Sequence, residues 1–134
     1  MKGKTTSAPS KIKHNTFIIQ KYIERPLLIF RRKFDIRVWV LLTQDHELFF
    51  FKEGYLRTSS TEFSIDLQNI DNAFVHLTNN AVQKHAENYG DFEDGNQLSF
   101  PRFQQIIDEF FPEKGVSVYE HLVPSDARGD SEDL

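Results

Sequence analysis

Lys33-Phe34-Asp35-Ile36-Arg37-Val38-Trp39-Val40-Leu41-Leu42 is the stretch on which the reading of this 134-residue chain turns. β-Branched and aromatic residues crowd it, and it holds no Gly or Pro, so it predicts a strand over 33–42. Successive strand side chains point to opposite faces. Phe34, Ile36, Val38 and Val40 therefore share one face, wholly apolar. Lys33, Asp35, Arg37, Trp39 and Leu41 share the other, which carries three charges of alternating sign. Thr43 to His46 reads as a tight turn. Glu47 to Glu53 (ELFFFKE) reads as a second strand, broken by Gly54. Residues 33–53 thus predict an antiparallel β-hairpin.

Upstream, Thr16 to Ile23 (TFIIQKYI) predicts another strand, ended by Glu24-Arg25-Pro26 because Pro cannot donate to a ladder. Leu27 to Arg32 is a connector. Downstream, Tyr55 to Arg57 is a short extended piece and 58–75 reads as mostly irregular. Residues 76–89 can open a short helix capped by Thr78 or Asn79. Residues 90–97 form a turn-rich acidic loop. Ser99 to Phe111 is the clearest helix: Ser99 can cap it, Pro101 suits its first turn, and Phe103, Ile106, Ile107, Phe110 and Phe111 recur at helical spacing. Pro112 ends it. The fold class is α+β. Residues 1–15 read as a flexible basic lead-in, 16–123 as one partial domain, and 124–134 as an acidic disordered tail.

Composition narrows the function. The chain has no Cys, so disulfide frameworks and thiolate metal sites are excluded, in keeping with a reducing compartment. No apolar run approaches the roughly 18 residues of a membrane span, and the N-terminus lacks the apolar core of a secretory signal. No membrane partner is expected, and a cytoplasmic protein is the default. The net charge of −4 is unevenly spread: residues 1–57 hold 12 Lys or Arg against 5 Asp or Glu, and residues 58–134 hold 4 against 15. A basic half suits an anionic partner, although a solvated basic surface accounts for it equally well.

The charged face of 33–42 has two readings. A half-solvated antiparallel strand is the commoner case. Its apolar neighbours, TFIIQKYI and FFF, favour a lined cleft instead. In a cleft, Lys and Arg can hold phosphate oxygens, Arg as a planar fork and Lys as a point charge. Arg57, just past the Gly54 break, adds a further cation.

Gln20-Lys21-Tyr22-Ile23, then Arg32-Lys33-Phe34-Asp35-Ile36-Arg37, then Glu53-Gly54-Tyr55-Leu56-Arg57, then His76-Leu77-Thr78-Asn79, in this order and spacing, resemble tubulin tyrosine ligase and its relatives, the tubulin polyglutamylases and glycylases. The resemblance covers roughly residues 16–111. Gln83-Lys84 and Asn88-Tyr89-Gly90 through Gly95-Asn96 also resemble the family, with no chemistry assigned to them. The resemblance implies an ATP-grasp fold and an ATP-dependent ligase that adds Tyr, Glu or Gly to tubulin through an acyl phosphate. ATP, an amino-acid substrate and tubulin or microtubules are the implied partners, and the microtubule cytoskeleton or cilium the implied location. Matched residue by residue, Gln20, Lys21, Tyr22 and Ile23 correspond to the hinge that meets the adenine edge, Tyr22 packing rather than reading the base. Lys33 and Asp35 correspond to nucleotide contacts, and Thr78 and Asn79 to a Thr-Asn pair beside the nucleotide. Arg37 corresponds to a basic position near the phosphates. Arg57 corresponds to an arginine that meets the amino-acid substrate or the transferred phosphoryl group.

Two departures accompany the match. The family's glycine-rich phosphate-covering segment lies upstream of the hinge, where about 19 residues stand here. Its Mg2+ ligands lie downstream, an Asp and then a Glu-x-Asn, and neither is found after the 99–111 helix. The expectation is a fragment that has little or no ligase activity alone. An alternative is a non-catalytic nucleotide- or tubulin-binding module. Single-stranded nucleic-acid binding through Trp39 and Phe49 to Phe51 is disfavoured by the negative net charge.

Overall fold

Phe34 and Ile36 turn toward the core while Lys33, Asp35 and Arg37 turn away, and this alternation sets the central sheet. The computed structural model describes residues 16–123, so the predicted lead-in at 1–15 and acidic tail at 124–134 lie outside the described residues. Five strands are assigned there: β1 Arg32–Arg37, β2 Val40–Leu42, β3 Leu48–Phe50, β4 Tyr55–Glu62 and β5 Gln97–Ser99. The helices are α1 Ala73–His76, α2 Asn80–Gln83, α3 Phe100–Phe110 and α4 Val118–His121, with 3-10 turns at Asp94–Asn96 and Pro112–Lys114. One antiparallel sheet has the order β1-β4-β5, and β2 pairs with β3 in a second. The class is α+β, as read.

The predicted 33–42 strand is two strands. β1 takes β4 as its partner and β2 takes β3, so the chain changes sheets at Val38-Trp39. Phe34 and Ile36 pack on the core, whereas Val38 and Val40 are exposed, which shortens the predicted apolar face to two residues. The hairpin turn is where the sequence put it: Thr43 N–H donates to Glu47 C=O at 2.9 Å, and Glu47 N–H to the Thr43 hydroxyl at 3.1 Å.

The 16–23 segment is not a strand. Phe17, Ile18 and Ile19 are 79, 91 and 100% exposed, and among the described residues no strand pairs with them. β-Propensity describes fit to a half-buried ladder and does not supply one.

Tyr55–Glu62 is the opposite case. It reads as a short extended piece running into irregular chain, yet it forms the central strand, with Thr58, Ser59 and Ser60 fully buried. A β-bulge between Arg32 and Phe34 aligns β1 with it, and Ser59 Oγ accepts the Lys33 backbone N–H there at 3.1 Å. The acidic loop delivers β5 through Asp94–Asn96, where Gly95 and Asn96 both have positive φ. The 76–89 region holds only the single turn α2, and the preceding turn α1, unread in the sequence, is capped by Asn72.

α3 matches its reading. Ser99 Oγ accepts Arg102 N–H at 3.4 Å, Pro101 lies in the first turn, and Phe103, Ile106 and Ile107 are buried. With Ile29, Leu56, Leu98, Phe100, Val118 and Val123 these make one core on the side of the sheet opposite Lys33, Asp35 and Arg37.

Candidate functional site

β1 and β4 run antiparallel, with Asp35 opposite Arg57 and Arg37 opposite Tyr55. Directly opposed residues share a face of the sheet. Lys33, Asp35, Arg37, Tyr55 and Arg57 therefore stand together, away from the core.

Asp35 is the centre of this face. Arg57 Nε donates to Asp35 Oδ1 at 3.0 Å and Arg57 Nη2 to Oδ2 at 2.7 Å, a two-point fork. Arg37 Nε lies 3.3 Å from Oδ2. Burial alone would raise the Asp35 pKa. Hydrogen bonds from Arg57 and from the Thr78 hydroxyl, with the charges of both arginines, outweigh it and hold the carboxyl below its ordinary value. The hydrogen bond to Asp35 likewise holds Arg57 firmly protonated. Thr78, two residues after α1, is 7% exposed and meets the Asp35 carboxylate on this face.

Lys33 lies at the other end of the face. Its Nζ donates to Tyr22 Oη at 3.2 Å and to the His76 carbonyl at 3.0 Å, 4.8 Å from the Tyr22 ring centroid. The Tyr22 ring stacks on Phe63 at 6.5 Å and meets His76 edge-on at 5.4 Å. A cavity of about 450 Å³ opens beside them, lined by Tyr22, Glu24, Ile65, Ile70 and His76.

Of the residues singled out in the sequence, the fold gathers Tyr22, Lys33, Asp35, Arg37, Arg57 and Thr78. Asn79 is adjacent, exposed, and stands at the N-cap of α2 without a cap hydrogen bond. Gln20, Lys21 and Ile23 are exposed and make no hydrogen bond to the face among the described residues. Lys21 to Arg25 line a smaller cavity of about 330 Å³. Tyr55 and His76 carried a signal, since both lie in the motifs quoted above without a role. Phe63, Ile65 and Ile70 carried none, lying in a stretch read as irregular.

The family-like residues without assigned chemistry brace β4. Gln83 Oε1 accepts Ser60 N–H at 2.8 Å, Asn88 Nδ2 donates to Ser60 C=O at 2.5 Å, and Asn96 Nδ2 donates to Thr58 C=O at 3.1 Å and Ser60 Oγ at 2.8 Å. Arg32, 1% exposed, forks onto Glu93 and lies 4.1 Å from the Phe92 ring centroid. These contacts fix the strand that carries Arg57.

Among the described residues no three His, Cys, Asp or Glu side chains converge on a metal-sized site. Asp35 stands here as the shared ion-pair partner of Arg57 and Arg37. Among the described residues no helix is long and apolar enough to cross a membrane.

Fold and face together define an α+β domain with a cationic sheet face beside a cavity lined by Tyr22, Glu24, Ile65, Ile70 and His76. The sequence matches the model of the Tubulin-tyrosine ligase family over residues 2–127, and the chain belongs to that family. It is 44% identical over 107 residues to tubulin monoglycylase TTLL3 of Homo sapiens, covering 75% of this chain and 14% of that protein. It is 43% identical over 116 residues to tubulin glycylase 3B of Tetrahymena thermophila, covering 84% and 9%. It is 53% identical over 76 residues to protein monoglycylase TTLL8 of Homo sapiens, covering 55% and 9%. The matched region spans about a seventh or less of the length of these relatives.

Proposed function

We propose that this chain supplies one wall of the nucleotide site of an ATP-dependent ligase that attaches an amino acid to tubulin in an ATP-grasp fold. Glycine is the amino acid proposed, because the similar proteins carry glycylase names. The observation that carries the reading is the single sheet face formed by Lys33, Asp35, Arg37 and Arg57, with Thr78 beside Asp35 and the Tyr22–His76 cavity next to Lys33.

The chemistry follows from the face. ATP when bound supplies the phosphoryl group that activates a carboxylate for attack by an amine. The flat base suits the mainly apolar cavity of Tyr22, Ile65, Ile70 and His76, with Glu24 at its wall, next to the 20–23 segment. Lys33 and Arg37 then present positive charge to the phosphate chain, the kind of preorganised stabilisation that phosphoryl transfer uses. Asp35 neutralises part of the charge on Arg57 and aims its guanidinium, so that the remaining N–H groups can meet a carboxylate or phosphoryl oxygen. Thr78 and Asn79 border the same space. Cytoplasmic action at microtubules or in the cilium goes with this substrate.

A second reading, nucleotide binding without catalysis, asks of the Lys33, Arg37 and Arg57 face only that it hold the phosphates. Two experiments separate the readings. Isothermal titration should show ATP binding that Lys33→Met weakens; no heat at millimolar ATP overturns both. Residues 16–123 grafted in place of the matching segment of the human monoglycylase should retain glycine incorporation into tubulin. A folded chimera that binds ATP but transfers no glycine selects the binding-only reading.

A further inference from the structure

His76 joins two elements of the face, and for a neutral ring its two contacts set the direction of each hydrogen bond. Its Nε2 lies 3.0 Å from the Asn69 carbonyl, and its Nδ1 lies 2.8 Å from Tyr22 Oη. A carbonyl has no hydrogen to give, so Nε2 carries the proton. In the neutral ring Nδ1 is then an acceptor, and Tyr22 donates its hydroxyl proton to it. With that proton committed, the Tyr22 oxygen offers lone pairs to Lys33, whose ammonium only donates. The direction runs from Lys33 to Tyr22 to His76 to Asn69. The His76 carbonyl takes a second N–H of Lys33 at 3.0 Å.

An ammonium has three N–H donors. Two are used here, and the third has no protein acceptor among the described residues. Lysine is ordinarily a mobile point charge on a four-carbon stem. Here the stem is pinned at its tip, and the remaining donor has a set direction. Pinning before a ligand arrives removes part of the ordering cost of binding.

We propose that His76 is a positioning residue: through the Tyr22 hydroxyl and its own carbonyl it aims the Lys33 ammonium at the phosphates of a bound nucleoside triphosphate. The inference rests on the nucleotide reading above. The bland alternative is an aromatic cluster of Tyr22, Phe63 and His76 that only packs. It makes no demand on the hydroxyl or on the tautomer, and there the two readings part.

The first measurement needs no ligand. Long-range 1H–15N correlation on the whole chain, with the His76 signals assigned by their loss in His76→Gln, should show the Nε2–H tautomer. An Nδ1–H tautomer overturns the proposal. The second compares ATP with adenosine by titration. Tyr22→Phe keeps the ring and removes the hydroxyl. His76→Gln loses the acceptor at the Nδ1 place, whereas His76→Asn restores one there. Tyr22→Phe and His76→Gln should each weaken ATP about fivefold and leave adenosine within about twofold, the effect of one hydrogen bond. His76→Asn should recover most of the ATP affinity. If Lys33→Met weakens ATP but neither Tyr22→Phe nor His76→Gln changes the ratio of ATP to adenosine affinity, the proposal is wrong and the nucleotide reading stands. If the wild-type chain binds neither ligand, the nucleotide reading falls, and the proposal with it.

Discussion

Asp35 and Arg57 face each other across the β1–β4 ladder and close a two-point ion pair, with Nε–Oδ1 3.0 Å and Nη2–Oδ2 2.7 Å. They are 22 residues apart in sequence, so only the register of the two strands brings them together. The pair keeps a carboxylate and a guanidinium ionised at one spot on the face. It also orients Arg57 without occupying all its donors, since a guanidinium has five.

Asp35→Asn should therefore destabilise the fold modestly, by about 1 kcal/mol, because the pair is partly solvated. The pH dependence has a definite sign. The folded pKa lies below the ordinary value of 3.8, so the unfolded chain binds the proton more readily. The pair's contribution is complete above 3.8 and is lost as pH falls through the lower folded value. Urea unfolding of wild type and Asp35→Asn should differ near neutral pH and converge in strong acid. A gap that widens on acidification would contradict this.

Arg32 and Glu93 form the buried counterpart, at 1% and 7% side-chain exposure. Removing one partner strands a buried charge. Glu93→Gln should cost about 3–5 kcal/mol of unfolding free energy. The double variant Arg32→Met with Glu93→Leu should cost less than that single change. It does not reach zero, because Thr58 Oγ1 donates to Glu93 at 2.8 Å and loses its acceptor. Chemical denaturation of the two variants tests the order, and a double variant weaker than the single would reverse it.

Gly54 has no room for a side chain. A Cβ there would sit 2.4 Å from Phe100 Cζ and 2.6 Å from the Arg37 carbonyl oxygen. The phenyl ring can shift, but the carbonyl belongs to the end of β1. Gly54→Ala should lower stability by about 1–3 kcal/mol, the usual cost of overpacking. Adding Phe100→Leu should not restore it, since the backbone clash remains. Full recovery in the double variant would show that the ring alone sets the limit.

The sequence made some of these parts legible and hid others for physical reasons. α3 could be read because Ser99, Pro101 and the spacing of Phe103, Ile106 and Ile107 act within a single turn or two. The Lys33, Asp35, Arg37 alternation was equally local. β4 was hidden. Thr58, Ser59 and Ser60 look like loop residues, and their burial depends on partners far along the chain at Glu93, Gln83 and Asn96. No window of sequence contains those pairs. The 16–23 segment fails in the reverse sense: its composition suits a strand, but a strand also needs a neighbour. Within the site, the motif named Lys33, Arg57 and Thr78, and only the register showed what each touches.

Thr78 and Asn79 should separate stability from binding. Thr78 is buried and helps hold the Asp35 carboxyl ionised, so Thr78→Val removes that support while nearly keeping the volume. It should cost about 1–2 kcal/mol of stability. Asn79 is exposed, and its side chain makes no cap bond to α2. Asn79→Ala should then change stability by less than about 0.5 kcal/mol, like other surface substitutions without a partner. On the nucleotide reading the same change removes a polar group that borders the phosphates, so ATP affinity should fall while the unfolding midpoint holds. Thermal unfolding paired with ATP titration decides the matter. Asn79→Ala that lowers the midpoint as much as Thr78→Val would make Asn79 a structural cap, and unchanged ATP affinity would remove it from the site.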